Sequence, residues 1–131
     1  METGSCLCQK IKLEVTKSNE KFNLCHCRMC QKFSGSAFGA YITIEKSDFR
    51  FVSGVDSLKT YESSSFAKRH FCSACGSSIM YTHNEHPEKV FLTAGILNGK
   101  VELRPKQHIF TKNKASWYEI DKKLPQCASW K

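Results

Sequence analysis

Apolar residues in this chain alternate with polar ones over short stretches, and nowhere do they hold a helical spacing for long. Ile11, Leu13 and Val15 alternate with Lys10, Lys12 and Glu14, the pattern of a strand with one buried face. A polar turn over 16–21 follows, and Phe22 and Leu24 lead to Cys25. Residues 28–33 predict a short helical turn, stopped by Ser34-Gly35-Ser36. Strands are predicted over 37–44 and 49–52. After a turn at 53–56, residues 58–61 are expected to return as a partner of that second strand. Further strands fall at 79–81 and 90–93, separated by a surface loop over 84–88. Asn98-Gly99 predicts a tight hairpin turn, with Val101 and Leu103 on its return arm. Residues 108–110 form a last short strand. A helical turn over 115–120, with Trp117 and Tyr118 packed, and an irregular tail over 121–131 complete the pattern. Some eight short strands, no long helix and no repeat period predict an all-β fold of small sheets in one domain, 1–131.

Length and composition agree with that picture. A chain of 131 residues with 40% hydrophobic content suits one small core, which metal staples would help. No apolar run reaches the roughly 18 residues of a spanning helix, so no membrane partner is expected. The first residues lack a basic segment followed by an apolar one, so a cytoplasmic location is expected, with the nucleus as the alternative. The formal charge is +8. Seven bound thiolates and two divalent ions would lower it to about +5. The lysines are dispersed and no recognition helix is apparent. A solvated basic face is therefore favoured over specific nucleic-acid binding.

Eight cysteines change the picture most. Cys25, Cys27 and Cys30 fall within six residues. Thiolates that close repel one another unless a cation holds them, and zinc is the usual soft divalent choice. Cys6 and Cys8 form a C-x-C and Cys72 and Cys75 a C-x-x-C, pairs that suit a metal knuckle better than a loop-closing disulfide. Together these four make a closed site. The other three leave a tetrahedral position for water or substrate. The alternative partition joins Cys25 and Cys27 to Cys72 and Cys75 and leaves Cys6 and Cys8 free; spacing admits both. Cys127 reads as a bystander. His26 is expected to point away from the metal, with His70, His83, His86 and His108 as candidate fourth ligands. Gly76 permits the tight turn after Cys75.

Several stretches together resemble the glutathione-dependent formaldehyde-activating (GFA) family, which includes the centromere protein V-like domain. They are Gly4-Ser5-Cys6-Leu7-Cys8, the run from Cys25 to Phe38, Arg69-His70-Phe71-Cys72-Ser73-Ala74-Cys75-Gly76-Ser77, His108-Ile109-Phe110 and Ala115-Ser116-Trp117. The resemblance implies an Mss4-like zinc-binding fold of small antiparallel sheets. It implies a structural zinc on Cys6, Cys8, Cys72 and Cys75 and a second zinc on Cys25, Cys27 and Cys30. The activity it implies is a carbon–sulfur lyase joining glutathione and formaldehyde reversibly. Gln9 stands where the family usually has glycine.

The first functional expectation is thus a zinc enzyme. Cys25, Cys27 and Cys30 carry the catalytic metal, a small thiol such as glutathione binds there, and Ser34 and Ser36 orient an anionic substrate. The competing expectations are a zinc-stabilised binding module for a thiol, protein or nucleic acid, and a redox sensor that oxidises the three-cysteine set.

Overall fold

The computed structural model describes residues 2–18 and 21–130. Asn19 and Glu20 of the predicted 16–21 turn, and Lys131 of the tail, lie outside the described residues. Among the described residues the elements run β1 (Glu2–Ser5), β2 (Lys12–Val15), β3 (Phe22–Cys25), α1 (Arg28–Ser34), β4 (Gly39–Glu45), β5 (Phe49–Ser53), β6 (Leu58–Glu62), β7 (Ala67–Cys72), β8 (Ser78–His83), β9 (Lys89–Thr93) and β10 (Gln107–Ile109). They form a three-stranded sheet, β1-β2-β5, and a seven-stranded sheet, β10-β3-β4-β9-β8-β7-β6. Every pairing is antiparallel except β10 with β3. The fold is the all-β class of small sheets that the strand pattern anticipates.

Alternation along the strands gives the large sheet two different faces. Phe22 and Leu24 of β3, Ile42 and Ile44 of β4 and Val90 and Leu92 of β9 belong to one apolar cluster. Leu13 and Val15 of β2 join that cluster, with Phe49 and Phe51 of β5 packed against it, so the small sheet covers this face. Each fully buried Ile or Leu contributes about 1.5–3 kcal/mol. The intervening residues, Cys25, Tyr41, Tyr81, Phe91 and Ile109, form a second cluster on the other face.

Four predicted features differ. β6 pairs with β7, not with β5, and β5 pairs with β2. Phe49 and Phe51 must face the core with Leu13, and a 3₁₀ turn at Val55–Ser57 carries the chain across to the other sheet. The Asn98-Gly99 hairpin has no return strand: residues 101–106 lie outside any strand. Instead Leu97 bridges Gly4, and the Asn98 N–H donates to the Thr3 carbonyl, so the free edge of β1 captures this segment. Residues 115–120 make only a turn. Trp117 is 71% exposed, while Tyr118 does pack, with its ring 5.8 Å from that of Phe38. The tail is more ordered than expected, because Gln126 forms a parallel bridge to His108 and Cys127 N–H donates to the His108 carbonyl at 2.9 Å. Among the described residues no helix is long and apolar enough to cross a membrane.

Candidate metal centre

The turn after β1 brings Cys6 and Cys8 against the end of β7 and the turn beyond it. The sulfurs of Cys6, Cys8, Cys72 and Cys75 all lie within 4.8 Å of one another. Cys6 and Cys8 are 3.6 Å apart, and Cys8 and Cys72 3.9 Å. Sulfurs bonded at about 2.3 Å to one tetrahedral ion stand about 3.8 Å apart, and these two separations match that spacing. The Ile11 N–H points at the Cys6 sulfur at 3.3 Å. The Ser77 hydroxyl lies 3.3 Å from the Cys75 sulfur and accepts from the Leu7 N–H at 2.9 Å. That Ser77 hydrogen bond is the main reason Cys75 is pulled down to about 5. Gly76 adopts φ 80°, as its position after Cys75 anticipates. Of the two partitions, the structure has the one that separates Cys72 and Cys75 from Cys25 and Cys27.

The second set is made by a strand running into a helix. Cys25 ends β3, Cys27 is the N-cap of α1 and Cys30 lies in its first turn. The Cys30 N–H donates to the Cys27 sulfur at 3.3 Å, so one of the three sulfurs also caps the helix. Their sulfurs lie within 4.8 Å of one another, three donors where a tetrahedral ion takes four. The three sulfurs strongly perturb one another's protons. Hydrogen bonds from Cys25 and then Cys30, helped by Arg69 against the cost of burial, pull Cys27 down to about 2. The same bonds, together with burial, push Cys25 far above the usual thiol range. Three thiolates this close would repel one another, and nearby positive charge offsets that.

Arg69 supplies part of it. This residue is 4% exposed, yet no carboxylate pairs with it among the described residues. Its guanidinium donates to the Cys30 sulfur at 3.5 Å, to the Tyr41 hydroxyl at 3.4 Å and to Ser63 Oγ at 3.3 Å. It also lies 4.7 Å from the centre of the Tyr81 ring, a cation–π arrangement. Burial is the largest single influence and opposes its charge, but Cys30, Tyr41 and Cys27 together outweigh it and raise its pKa. A buried cation needs an anion, and here the cysteine set is that anion. Arg69 stands in the sequence motif before Cys72, but only the pairing of β7 with β8 brings it to the other cluster.

The histidines divide. His26 is fully buried and points away from the sulfurs, with Nε2 2.8 Å from Nδ1 of His108. His70 is held between Thr60 and Thr82. His83 and His86 line a cavity of about 370 Å³ with the three cysteines, but neither is grouped with their sulfurs. Phe66, Tyr81, Phe110 and Trp130 supply the aromatic walls. Ser34 spends its hydroxyl on the carbonyls of Cys30, at 2.6 Å, and Phe38, at 3.1 Å. Ser36 is exposed, and the cavity wall contains neither serine. Cys127 packs near the second cluster and lies 3.5 Å from Gln107 Oε1, outside both sulfur sets.

Two cysteine sets on a β scaffold, in this order along the chain, match one family profile, that of the glutathione-dependent formaldehyde-activating enzymes, over residues 1–113. The chain belongs to the GFA family. A Schizosaccharomyces pombe relative described as an uncharacterized lyase is 28% identical over 92% of this chain and 85% of its own length. A Halomonas elongata relative, provisionally named a glutathione-dependent formaldehyde-activating enzyme, is 29% identical over 90% of this chain and 80% of its own. The crystal structure of a Rhodobacter sphaeroides protein superposes with a TM-score of 0.66 at 26% identity, covering 76% of this chain and 91% of that one. Gln9, at the usual GFA glycine, adopts φ 67°. The chain thus keeps a left-handed turn, which favours glycine, with a side chain in place. The GFA match ends before Trp130, so that wall of the cavity is contributed from outside the matched region.

Proposed function

We propose that both cysteine sets bind zinc and that the protein is a carbon–sulfur lyase acting on a small thiol, glutathione or a close analogue, and formaldehyde or a related carbonyl. The observation that carries this reading is the three-sulfur set at the wall of a cavity, beside a buried arginine. The four-sulfur set is structural, since its donors complete a tetrahedron. A zinc ion in the three-sulfur set would supply the positive charge that lowers the pKa of a substrate thiol.

The chain's own residues supply the rest. Arg69 balances the negative charge of the sulfurs and fixes Cys30. Burial, before any other influence, raises Tyr41 and Tyr81 above the ordinary tyrosine range, so both stay neutral beside it. Phe66, Phe110 and Tyr81 keep water from the carbonyl. In the addition, the substrate sulfur forms a bond to the carbonyl carbon. The carbonyl electron pair moves to oxygen, and that oxygen takes up a proton equivalent to the one the thiol has lost. Reversal returns the thiol and the aldehyde. Cytoplasmic location is part of this proposal, because reduced cysteines and free glutathione coexist there.

The test is Cys27→Ser. Serine is a good N-cap, so α1 and the sheet should persist while zinc per chain falls from two to one. Exchange between glutathione–formaldehyde adduct and free glutathione, followed by NMR at equilibrium, should return to the uncatalysed rate. Unchanged exchange in this variant would sink the proposal. Thiol binding in the parent protein without faster exchange would make it a thiol carrier.

A further inference from the structure

The face of the large sheet that holds the cavity continues past it. Asn23 precedes Cys25 by two residues on β3, Lys89 precedes Phe91 by two on β9, Thr43 follows Tyr41 by two on β4, and Gln107 precedes Ile109 by two on β10. Two residues is one pleat, about 7 Å along a strand, and returns to the same face. Those four residues, with Lys21 and Lys106, line a second cleft of about 200 Å³. His86 and Trp130 line both the cleft and the cavity, with their rings stacked 6.4 Å apart. Among the described residues, three lysines and three neutral polar side chains line the cleft, and no acid does. Lys89 lies 3.7 Å from Glu45, whereas Lys106 makes no ion pair among the described residues.

We propose that this cleft is the subsite for the anionic end of the thiol substrate, one pleat from the sulfurs, so that the site selects a thiol carrying carboxylates over an uncharged thiol. The inference rests on the thiol reading above and adds its specificity. Lys106 and Lys89 meet the carboxylates, Asn23 and Gln107 offer amide donors, and Trp130 and His86 form the ridge over which the substrate passes. Trp130 reports occupancy directly, since Trp117 is far more exposed.

The experiment uses metal-replete Trp117→Phe protein, leaving Trp130 as the single tryptophan, and a cobalt-substituted sample. Three probes are titrated at low and high salt: glutathione, its diethyl ester, and S-methylglutathione, which keeps the carboxylates but has no free thiol. Trp130 fluorescence reads the cleft; the cobalt absorption band reads the thiol. The expected result is that the diester binds about fivefold or more weakly than glutathione. Lys106→Gln should weaken glutathione by a similar factor, Lys106→Glu should weaken it further, and the diester should ignore both changes. Equal binding of glutathione and its diester, unaffected by Lys106→Glu, overturns the subsite and leaves the thiol site standing. Failure of both thiols to alter the cobalt band removes the thiol reading instead. S-methylglutathione then decides the cleft: binding lost in Lys106→Glu supports it, and no binding overturns it.

Discussion

Gln9 carries the clearest cost of a single side chain. At φ 67° a residue with a Cβ meets its own backbone, a penalty of roughly 1–2 kcal/mol that glycine escapes at some expense in chain entropy. Its N–H closes the turn onto the Cys6 carbonyl at 3.0 Å, so the strain sits inside the knuckle that holds two sulfurs. Gln9→Gly should therefore stabilise the metal-replete protein by about 1 kcal/mol, read as a rise of about 3–5 °C in thermal midpoint. No rise would mean that the exposed Gln9 side chain supplies compensating contacts. Arg69 shows the opposite economy. It is a buried charge whose cost is met by a cysteine set rather than by a carboxylate, which ties the packing of β7 to the state of that set.

At the scale of elements, Gly54 sets how β5 hands the chain to β6. It adopts φ 80°, and a Cβ there would stand 1.9 Å from the Lys10 carbonyl oxygen. Neither problem can be relieved by a rotamer, because the obstacle is backbone. Gly54→Ala should destabilise by at least about 2 kcal/mol in urea unfolding, and a loss under half of that would show that the crossing can shift. This crossing also marks where the sequence stops being legible. Alternation reveals β2, and stretches rich in apolar residues reveal β4, β5 and β9, because burial is recorded locally in a strand. Pairing is not recorded that way: β5 and β6 look like a hairpin, yet β5 must follow Phe49 and Phe51 into the core. The cysteine pairs and the triplet were legible for the same local reason, but their grouping was not, since spacing admits two partitions. Arg69, Tyr81, Phe110 and Trp130 were not, since they reach the cavity from elements that meet only after the sheet is built. Ser34 illustrates the converse: its place in the motif suggests substrate, and its hydroxyl serves the end of α1.

At the scale of the molecule, the two cysteine sets differ in what they join. Cys25, Cys27 and Cys30 lie on one strand–helix connection, so an ion there ties together no distant segments directly, and β7 meets the set only through Arg69. Cys6 and Cys8 belong to the connection between two strands of the small sheet, and Cys72 ends a strand of the large one, 64 residues on from Cys8. An ion in that set cross-links the two sheets, and its binding energy is folding energy. Three sulfurs also bind more weakly than four. In an equilibrium titration with a zinc chelator, the first ion to leave should therefore abolish the thiol response while far-ultraviolet circular dichroism and the thermal transition stay close to their starting values. Loss of the second should remove the cooperative transition and expose the apolar face between the sheets to a hydrophobic dye. Cys27→Ser, which has already lost the first ion, should show only the second step. If sheet structure disappeared with the first ion instead, the three-sulfur set would be holding the fold together, and its assignment as the working site would have to be given up.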